Sequence, residues 1–176
     1  MNRTEGDAGT DVGALKTRAT PEDSHYLIRG QKIYITWGEH DMAENIVHLV
    51  LARLPNSPEG VKGISLFLVP KILVNDDGSL GERNDLKALS LEEKIGIHAC
   101  PTCVMSYGDK TGAIGFLIGE ENKGIQCMFT MMNNARLTVG LQGVSVSERA
   151  YQQALSFCNI RVQGVAPGHK EAGPIV

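Results

Sequence analysis

Before Gly124 the chain alternates between short apolar segments and turn residues. Five of these segments have the length and composition of strands, because they are rich in Val, Ile and Leu and are separated by Gly, Pro, Asn or Asp. They cover residues 25–36, 45–54, 63–70, 102–108 and 112–119. The pattern predicts a multi-stranded antiparallel sheet or barrel. Residues 45–54 and 63–70 contain nearly continuous apolar runs, which is typical of central strands that are covered on both faces.

One long segment between these strands is polar. Residues 75–90 read "NDDGSLGERNDLKALS". A stretch of this length and composition is typical of a surface loop that is either functional or mobile. We therefore expect a long exposed loop at residues 75–90.

After Gly124 the apolar residues recur at helical spacing, and no proline follows until Pro167. They are Ile125, Met128, Met132, Ala135, Val139, Val146, Ala150, Ala154 and Phe157. The spacing predicts one long helix over residues 125–162. Gly140 and Gly143 within it each cost about 1 kcal/mol of helix preference relative to alanine, which suggests close packing against another element. The Gly- and Pro-rich residues 165–176 are expected to be disordered or extended.

A lone helix of this length would leave an apolar stripe larger than one small barrel can cover. Its partner is therefore another chain or a part of the protein outside this sequence. We expect self-association through residues 125–162, giving a homo-oligomer.

Composition and charge narrow the class of protein. The 176 residues are 42% hydrophobic, which is enough for a sizeable core, and 17 basic and 20 acidic side chains give a net charge of −3. No run of like charge indicates a surface that binds nucleic acid, and no apolar run approaches the roughly 18 residues of a membrane span. The first residues lack a secretory signal. We expect an intracellular, cytoplasmic protein whose four cysteines are reduced thiols.

Some tempting chemical motifs are not favoured. The pair in "HACPTC" (98–103) leads into a strand-like segment, whereas a redox pair of this spacing requires a helix N-terminus that lowers the thiol pKa. A structural zinc site requires four ligands, and Cys127 and Cys158 are single positions in the predicted helix. His40, Asp41 and His48 could suggest a metal or a catalytic dyad. His48 lies within an apolar strand, however, and is interpreted as a hydrogen-bonded core histidine.

Two segments have the chemistry of a binding site. In "RGQKIYITWGEHD" (29–41), strand alternation places Tyr34 and Thr36 on one face, and a flat aromatic beside a hydroxyl suits a flat heterocycle with polar edges. In "RTEGDAGTDVGALKT" (3–17), short hydroxyls and acids surround Gly6 and Gly9. Such a loop can hold ligand oxygens, although from this segment alone a solvated loop is the simpler interpretation.

Five motifs resemble, in order, those of the flavin-dependent acyl-CoA dehydrogenases. The loop at residue 3 is similar to "TEPxAGSD", and "IRGQKIYITWG" to "GxKxWITNG". The segment "KIGIHACPTCVMSYGD" resembles "KxGxRxSxTxxxxFxD", and "GFLIGEENKGIQCM" resembles "LGxxxxGF". The stretch "NNARLTVGLQGVSVSERAYQQALSFCNIRVQG" resembles "xxRxxxAAxxxGxAxxALxxAxxYxxxRxQFG". The resemblance covers residues 3–164.

The resemblance implies roles for particular residues. Tyr34 would pack on the ring of FAD, the hydroxyl of Thr36 would bind its reactive edge, and Ile35 between them would also contact the cofactor. Thr4 would contact the pyrimidine end of the flavin. Further positions matched to the family's ligand contacts are Thr10, Asn133 and Arg136 for acyl-CoA, and Arg161 and Gln163 for the FAD of an adjacent subunit.

The sequence departs from the family pattern in several places. Tyr34 stands where Trp is usual, Gly6 replaces Pro, Thr10 replaces Ser, Trp37 stands where Asn is common, and the Phe expected after Gln163 is absent. Trp37 and the long polar segment suggest a branch of the family with larger subunits. The acyl chain preference and the electron acceptor stay open.

The implied fold is a mainly β antiparallel barrel of the family's middle-domain type, followed by the first helix of a C-terminal helical domain. Residues 1–124 would contact flavin and acyl-CoA, residues 125–164 would form the helix, and residues 165–176 the tail. The family's catalytic glutamate has no match here, since Glu39, Glu120 and Glu121 do not align with it. We therefore expect a truncated part of an FAD-dependent acyl-CoA dehydrogenase that alone retains little FAD and is inactive. The alternative is an isolated barrel that acts only as a packing or interaction module.

Overall fold

The computed structural model describes residues 1–174. Nine strands precede one long helix in this part of the chain. The strands are β1 Arg18–Pro21, β2 Tyr26–Thr36, β3 Val47–Arg53, β4 Ile64–Pro70, β5 Ile72–Val74, β6 Leu80–Arg83, β7 Leu86–Leu91, β8 Thr102–Tyr107 and β9 Ala113–Ile118, and the helix α1 is Gly124–Ile160. Each of the five predicted strands begins and ends within two residues of its expected bounds, and so does the predicted helix.

Five strands close into a barrel in the order β1, β3, β4, β9 and β2, because β1 pairs with both β3 and β2. The β1–β2, β2–β9, β4–β9 and β3–β4 pairs are antiparallel, and a single parallel pair joins Arg18 to Arg53. The second half of β2 leaves the barrel and pairs with β8, which pairs with β7. This predicted mainly β fold with a long C-terminal helix is therefore confirmed.

The barrel interior contains the apolar runs that predicted central strands. Val50 of β3 and Phe67 and Val69 of β4 are fully buried, as is Ile28 of β2. Burying one such side chain contributes about 1.5–3 kcal/mol. These strands are therefore the scaffold from which the second half of β2 projects.

Residues 75–90 were predicted to form a loop, and this prediction is wrong. The segment contains β6 and β7, with Leu86 buried opposite Tyr107. The side-chain amide of Asn84 anchors it: Nδ2 donates to the carbonyls of Pro70 (2.9 Å) and Ile114 (2.8 Å), and Oδ1 accepts from the Ile114 N–H at 2.8 Å. The segment looks like a loop in sequence because a buried polar side chain, instead of an apolar run, attaches it to the barrel.

The residues after Phe129 form a second compact unit. Along α1 many large apolar side chains are exposed, among them Leu137, Val144 and Phe157. A Cβ built on Gly140 or Gly143 would meet no atom of the described chain within 4 Å, so the expected close packing is not made within residues 1–174. Beyond the helix, Val162 and Pro174 form an antiparallel bridge. The predicted tail extends to residues 175–176, which lie outside the described residues.

The described helix is not apolar enough over a sufficient length to cross a membrane. Cys103 is buried, and Cys100, Cys127 and Cys158 are half-buried free thiols. Within residues 1–174 no group of three or more His, Cys, Asp or Glu side chains is arranged to hold a metal ion.

Candidate functional site

The candidate site begins at a β-bulge in β2. Lys32 pairs with Met105 of β8 and Ile35 pairs with Cys103, so β2 has one residue more than β8 across this step. Tyr34 lies within this step and has a left-handed backbone (φ +58°), which accommodates the extra residue of the bulge. Bulges change the direction in which side chains leave a strand and often lie beside active sites.

The bulge decides which side chains reach solvent. Strict alternation would place Lys32 on the same face as Tyr34 and Thr36. Lys32 is instead fully buried, whereas Tyr34 is 61% exposed and Thr36 is exposed. Ile35, between them, is packed in the core. The exposed Tyr34 and Thr36 thus flank the buried Ile35, and the bulge that produces this arrangement was not predicted.

A cleft lies beside this strand end. Thr36 pairs with Thr102 of β8, and Thr102 lines a cavity of about 380 Å³ together with Leu91, Lys94, His98, Cys100 and Pro101. An exposed ring and hydroxyl next to an open cleft fit a flat ligand with polar edges. Tyr34 and Thr36 do not line this cavity themselves, but their chemistry is compatible with the flavin that the resemblance implies.

A tight turn fixes the end of β2. Trp37 has a left-handed backbone (φ +55°), and its N–H donates to the Pro101 carbonyl at 2.8 Å. The Gly38 N–H donates to the Ile35 carbonyl at 3.2 Å. A Cβ on Gly38 would lie 2.9 Å from both the Cys103 Cβ and the Met105 Sδ, so the turn packs too closely against β8 for a side chain.

The N-terminal segment fills the space between β3 and β2. The Asn2 N–H donates to the Leu49 carbonyl at 2.6 Å, and the Asn2 carbonyl accepts from the Leu51 N–H at 3.1 Å. Two residues later, the Thr4 carbonyl accepts from the Ile33 N–H at 2.9 Å. The half-buried Thr4 is therefore held against β2 at the residue before Tyr34.

Glu5 has an internal role that sequence reasoning missed. Its Oε1 accepts from the Lys32 Nζ (2.8 Å), the Thr17 hydroxyl (2.5 Å) and the Thr17 N–H (3.1 Å), and its Oε2 accepts from the Lys16 N–H at 2.6 Å. Burial opposes ionisation, but the charge of Lys32 and these hydrogen bonds hold the pKa of Glu5 below its usual value. No local pattern in the sequence identifies this pair, because Glu5 and Lys32 lie 27 residues apart.

Thr10, predicted to contact substrate, is exposed in the N-terminal loop. The loop bends sharply at Gly9 (φ +56°), whose N–H donates to the Glu5 carbonyl at 2.8 Å. Asp11 Oδ1 then accepts from the Gly13 N–H at 3.0 Å, which caps the short 3-10 helix Val12–Ala14. These bonds leave the hydroxyl of Thr10 on the outer side of an ordered loop.

The other predicted site residues belong to the second compact unit. Asn133 and Arg136 are exposed three residues apart on α1, which places them on one face of the helix. Arg161 and Gln163 follow the helix end, where the Arg161 Nε donates to the Gln163 Oε1 at 3.2 Å. The structure thus forms two groups of predicted residues, one in each unit.

Glu39, which follows the turn, is engaged in ion pairs. Its carboxylate binds the ammonium of Lys71, and its Oε2 lies 3.3 Å from the Arg83 guanidinium. Burial alone would raise the pKa of Glu39, but the hydrogen bond and charge of Lys71, followed by those of Arg83, hold it below its usual value. Such a carboxylate is a weak base.

Glu121, which the sequence analysis also considered, accepts a hydrogen bond from the Tyr26 hydroxyl at 3.1 Å.

His48 is a core histidine, as predicted. Its Nδ1 lies 3.3 Å from the Asn2 Nδ2, and its ring meets Tyr107 edge to face with centroids 5.9 Å apart. Burial lowers the pKa of His48 to about 4. Its Nε2 is buried and has no hydrogen-bond partner among the described residues.

Comparison with known proteins identifies relatives of this chain. The sequence model of the family described as "Acyl-CoA dehydrogenase, middle domain" matches residues 1–109. The chain is 51% identical to a 3-methylmercaptopropionyl-CoA dehydrogenase of Ruegeria pomeroyi over 100% of its own length and 30% of the relative's. It is 42% identical to a butyryl-CoA dehydrogenase of Syntrophomonas wolfei over 93% of its own length and 28% of the relative's.

Solved structures share the fold. The crystal structure of Caenorhabditis elegans ACDH-11 in complex with C11-CoA matches 92% of this chain and 26% of that one, with a TM-score of 0.73 and 27% identity. The chain therefore spans less than a third of the length of each of these three relatives.

Proposed function

Because the chain belongs to the acyl-CoA dehydrogenase family, we propose that it supplies part of the flavin and acyl-CoA binding surface of an FAD-dependent oxidoreductase. The reaction is α,β-dehydrogenation of an acyl-CoA thioester. Bound FAD supplies the hydride acceptor, its N5 atom. The observation that carries the proposal is the exposure of Tyr34 and Thr36 at a bulged strand end beside a cleft.

Each residue of the barrel contributes in a different way. The ring of Tyr34 offers a flat apolar face, and the hydroxyl of Thr36 can donate to or accept from a polar ring edge. Ile35 can contribute only main-chain atoms, since its side chain is buried. Thr4 contributes at the opposite end of the ring system, where its main chain is already bonded to Ile33.

For the substrate we propose the hydroxyl of Thr10 and the helix side chains Asn133 and Arg136. A guanidinium suits the phosphates of CoA because it donates two parallel hydrogen bonds to phosphate oxygens. The relatives named above act on or bind acyl-CoA thioesters of different size. We therefore propose an acyl-CoA as the substrate class and make no choice of acyl chain or electron acceptor.

We further propose that α1 assembles with a second copy and that Arg161 and Gln163 reach the FAD of that subunit. The exposed apolar side chains of α1 support this assignment. In this organisation residues 1–124 carry the flavin and acyl-CoA contacts, residues 125–164 the helix, and residues 165–176 the tail.

No glutamate of this chain is proposed as the base that removes the α-proton. Glu39 is neutralised by Lys71 and Arg83, which opposes the uptake of a proton. Without a positioned base, the chain alone is expected to show no dehydrogenase activity with any acyl-CoA. It is also expected to retain little FAD through purification, because Arg161 and Gln163, two of the six residues proposed to contact FAD, would act on the FAD of a second subunit.

The single tryptophan tests the proposal directly. Trp37 follows Thr36 immediately, so FAD bound at this strand end should quench its emission in a saturable way when FAD is added in excess. Tyr34→Ala and Thr36→Val should weaken the quenching. Matched controls are Tyr151→Ala, whose side chain is 60% exposed on α1, and Thr20→Val, which is exposed on β1.

Free N-acetyltryptophanamide, titrated in parallel, corrects for absorption of the light by FAD. Linear quenching that matches this free compound would contradict the proposal and favour an inert barrel module. Equal losses of quenching in the Tyr34→Ala and Tyr151→Ala variants would also contradict the proposal.

A further inference from the structure

Two bonds join the N-terminal segment to β2 at adjacent residues. The Ile33 N–H donates to the Thr4 carbonyl at 2.9 Å, and the Lys32 ammonium binds Glu5 at 2.8 Å. Thr4 and Glu5 are neighbours in sequence, as are Lys32 and Ile33. The next residue along β2 is Tyr34, where the backbone turns left-handed.

The ion pair is deeply buried. The side chain of Lys32 is 0% exposed and that of Glu5 is 7% exposed. A buried ammonium whose counter-ion is removed stays without compensation, whereas removing both charges together is often tolerated. A charged pair is therefore a costly way to fill this space, which suggests that it serves a purpose other than stability.

Its geometry indicates that purpose. Lys32 pairs with Met105 of β8 and is the last paired residue of β2 before the bulge. The carboxylate that Lys32 binds is also fixed by the Lys16 N–H and by the N–H and hydroxyl of Thr17. The pair thus fixes the distance between the Thr4 peptide and the bulge at Tyr34.

We propose that Glu5 and Lys32 are positioning residues, whose buried ion pair sets the register of Thr4 against Tyr34 for a flavin ring held between them. This inference rests on the proposed function for the identity of the ligand. The register itself can be measured without any ligand.

The test compares four variants of the full chain. Glu5→Gln and Lys32→Met each leave one buried charge, and the double variant Glu5→Gln/Lys32→Met removes both. The fourth, Asp7→Asn/Lys16→Met, is the matched control, since Lys16 and Asp7 form a 2.7 Å ion pair in the same loop with side chains 72% and 75% exposed.

Urea unfolding should show lower midpoints for the two single variants and a recovered midpoint for the double variant, because no charge is left uncompensated. Hydrogen exchange of the Ile33 amide, whose acceptor is Thr4, should be faster by about tenfold in the double variant despite this recovery. The emission maximum of Trp37 without flavin should shift as well. The control pair should change none of these signals.

If the pair served stability alone, the hydrogen-exchange rate of the Ile33 amide would return to the wild-type value whenever the urea midpoint does. The proposal is therefore overturned if the double variant recovers both its midpoint and wild-type Ile33 exchange and Trp37 emission. FAD titration of the same variants reports separately on the proposed function. If FAD fails to bind wild type while Ile33 exchange responds as expected, the proposed ligand is wrong and the positioning role of the pair stands.

Discussion

The phenolic hydroxyl of Tyr107 donates a 2.9 Å hydrogen bond to the side-chain oxygen of Asn2, which ties the start of the chain to β8. The same Asn2 side chain reaches the Nδ1 of His48 with its amide group. This places a donor against Nδ1 and leaves the ring proton of the neutral imidazole on Nε2. The three side chains form a buried polar chain that requires His48 to be uncharged.

Acidification should therefore destabilise the protein through His48. Its pKa is about 4 in the folded chain against 6.5 as the ordinary value, mainly because of burial. The unfolded chain binds the proton more readily. The free energy of unfolding therefore has its full value above pH 6.5 and decreases as the pH drops toward 4. The total loss is on the order of 3 kcal/mol.

Urea denaturation at several pH values between 4 and 7 measures this slope. In His48→Gln the slope over that range should largely vanish, whereas in the exposed control His98→Gln it should persist. Equal slopes in the two variants would assign the acid sensitivity to other groups. The carboxylates with lowered pKa, such as Glu5, contribute chiefly at the acid end of the range.

Replacement of Asn84 by alanine should destabilise the barrel by about 3 kcal/mol, because the carbonyl of Pro70 and both main-chain groups of Ile114 lose their partner in the interior. Asn75→Ala is the control, since the Asn75 side chain binds the Ser79 hydroxyl at the surface. That change should cost less than about 1 kcal/mol. Similar losses for both in urea denaturation would show that Asn84 does not anchor β6 and β7.

Gly38→Ala should cost about 1–3 kcal/mol, since the new methyl group would be forced against Cys103 and Met105. Gly6→Ala, where a Cβ meets no atom within 4 Å, is the control and should be close to neutral. Thermal unfolding followed by circular dichroism distinguishes the two. A stable Gly38→Ala variant would mean that the turn after Thr36 is looser than the structure shows.

The apolar face of α1 should drive self-association. Val139 and Val146 belong to the predicted apolar stripe, are 62% and 69% exposed, and lie seven residues apart on one side of the helix. Val139→Glu/Val146→Glu should shift the mass measured by light scattering toward the monomer. Asn134→Glu/Ser145→Glu adds the same charge at two exposed positions roughly 100–140° away around the helix and should not. A wild-type chain that is strictly monomeric at high concentration would contradict this prediction.

The local patterns in the sequence were enough to predict the barrel strands. Most residues of the apolar runs in β3 and β4 are buried, so the apolar character of each residue is enough to predict its place in the core. The strands β6 and β7 could not be predicted in this way, because Leu86 is their one buried residue and the neighbouring amide side chain of Asn84 supplies much of the contact with the interior.

The candidate site was only partly predictable for a similar reason. Tyr34 and Thr36 could be chosen from their chemistry, but the bulge that exposes them arises from the register of β2 against β8, which no local pattern encodes. The charge of Lys32 at a buried position is offset by Glu5, which lies 27 residues away in sequence. Long-range compensation of this kind is visible only in the fold.

The central claim is that the ring of Tyr34 and the hydroxyl of Thr36 form one face for a flavin. NMR titration of FAD into isotope-labelled chain, with residue-specific shifts, tests it most directly. The account predicts the largest saturable shifts at the Tyr34 ring, the Thr36 methyl and the Thr4 amide, with small shifts at Tyr151. Saturable shifts confined to other strands, or no shifts at these three residues in excess FAD, would contradict it.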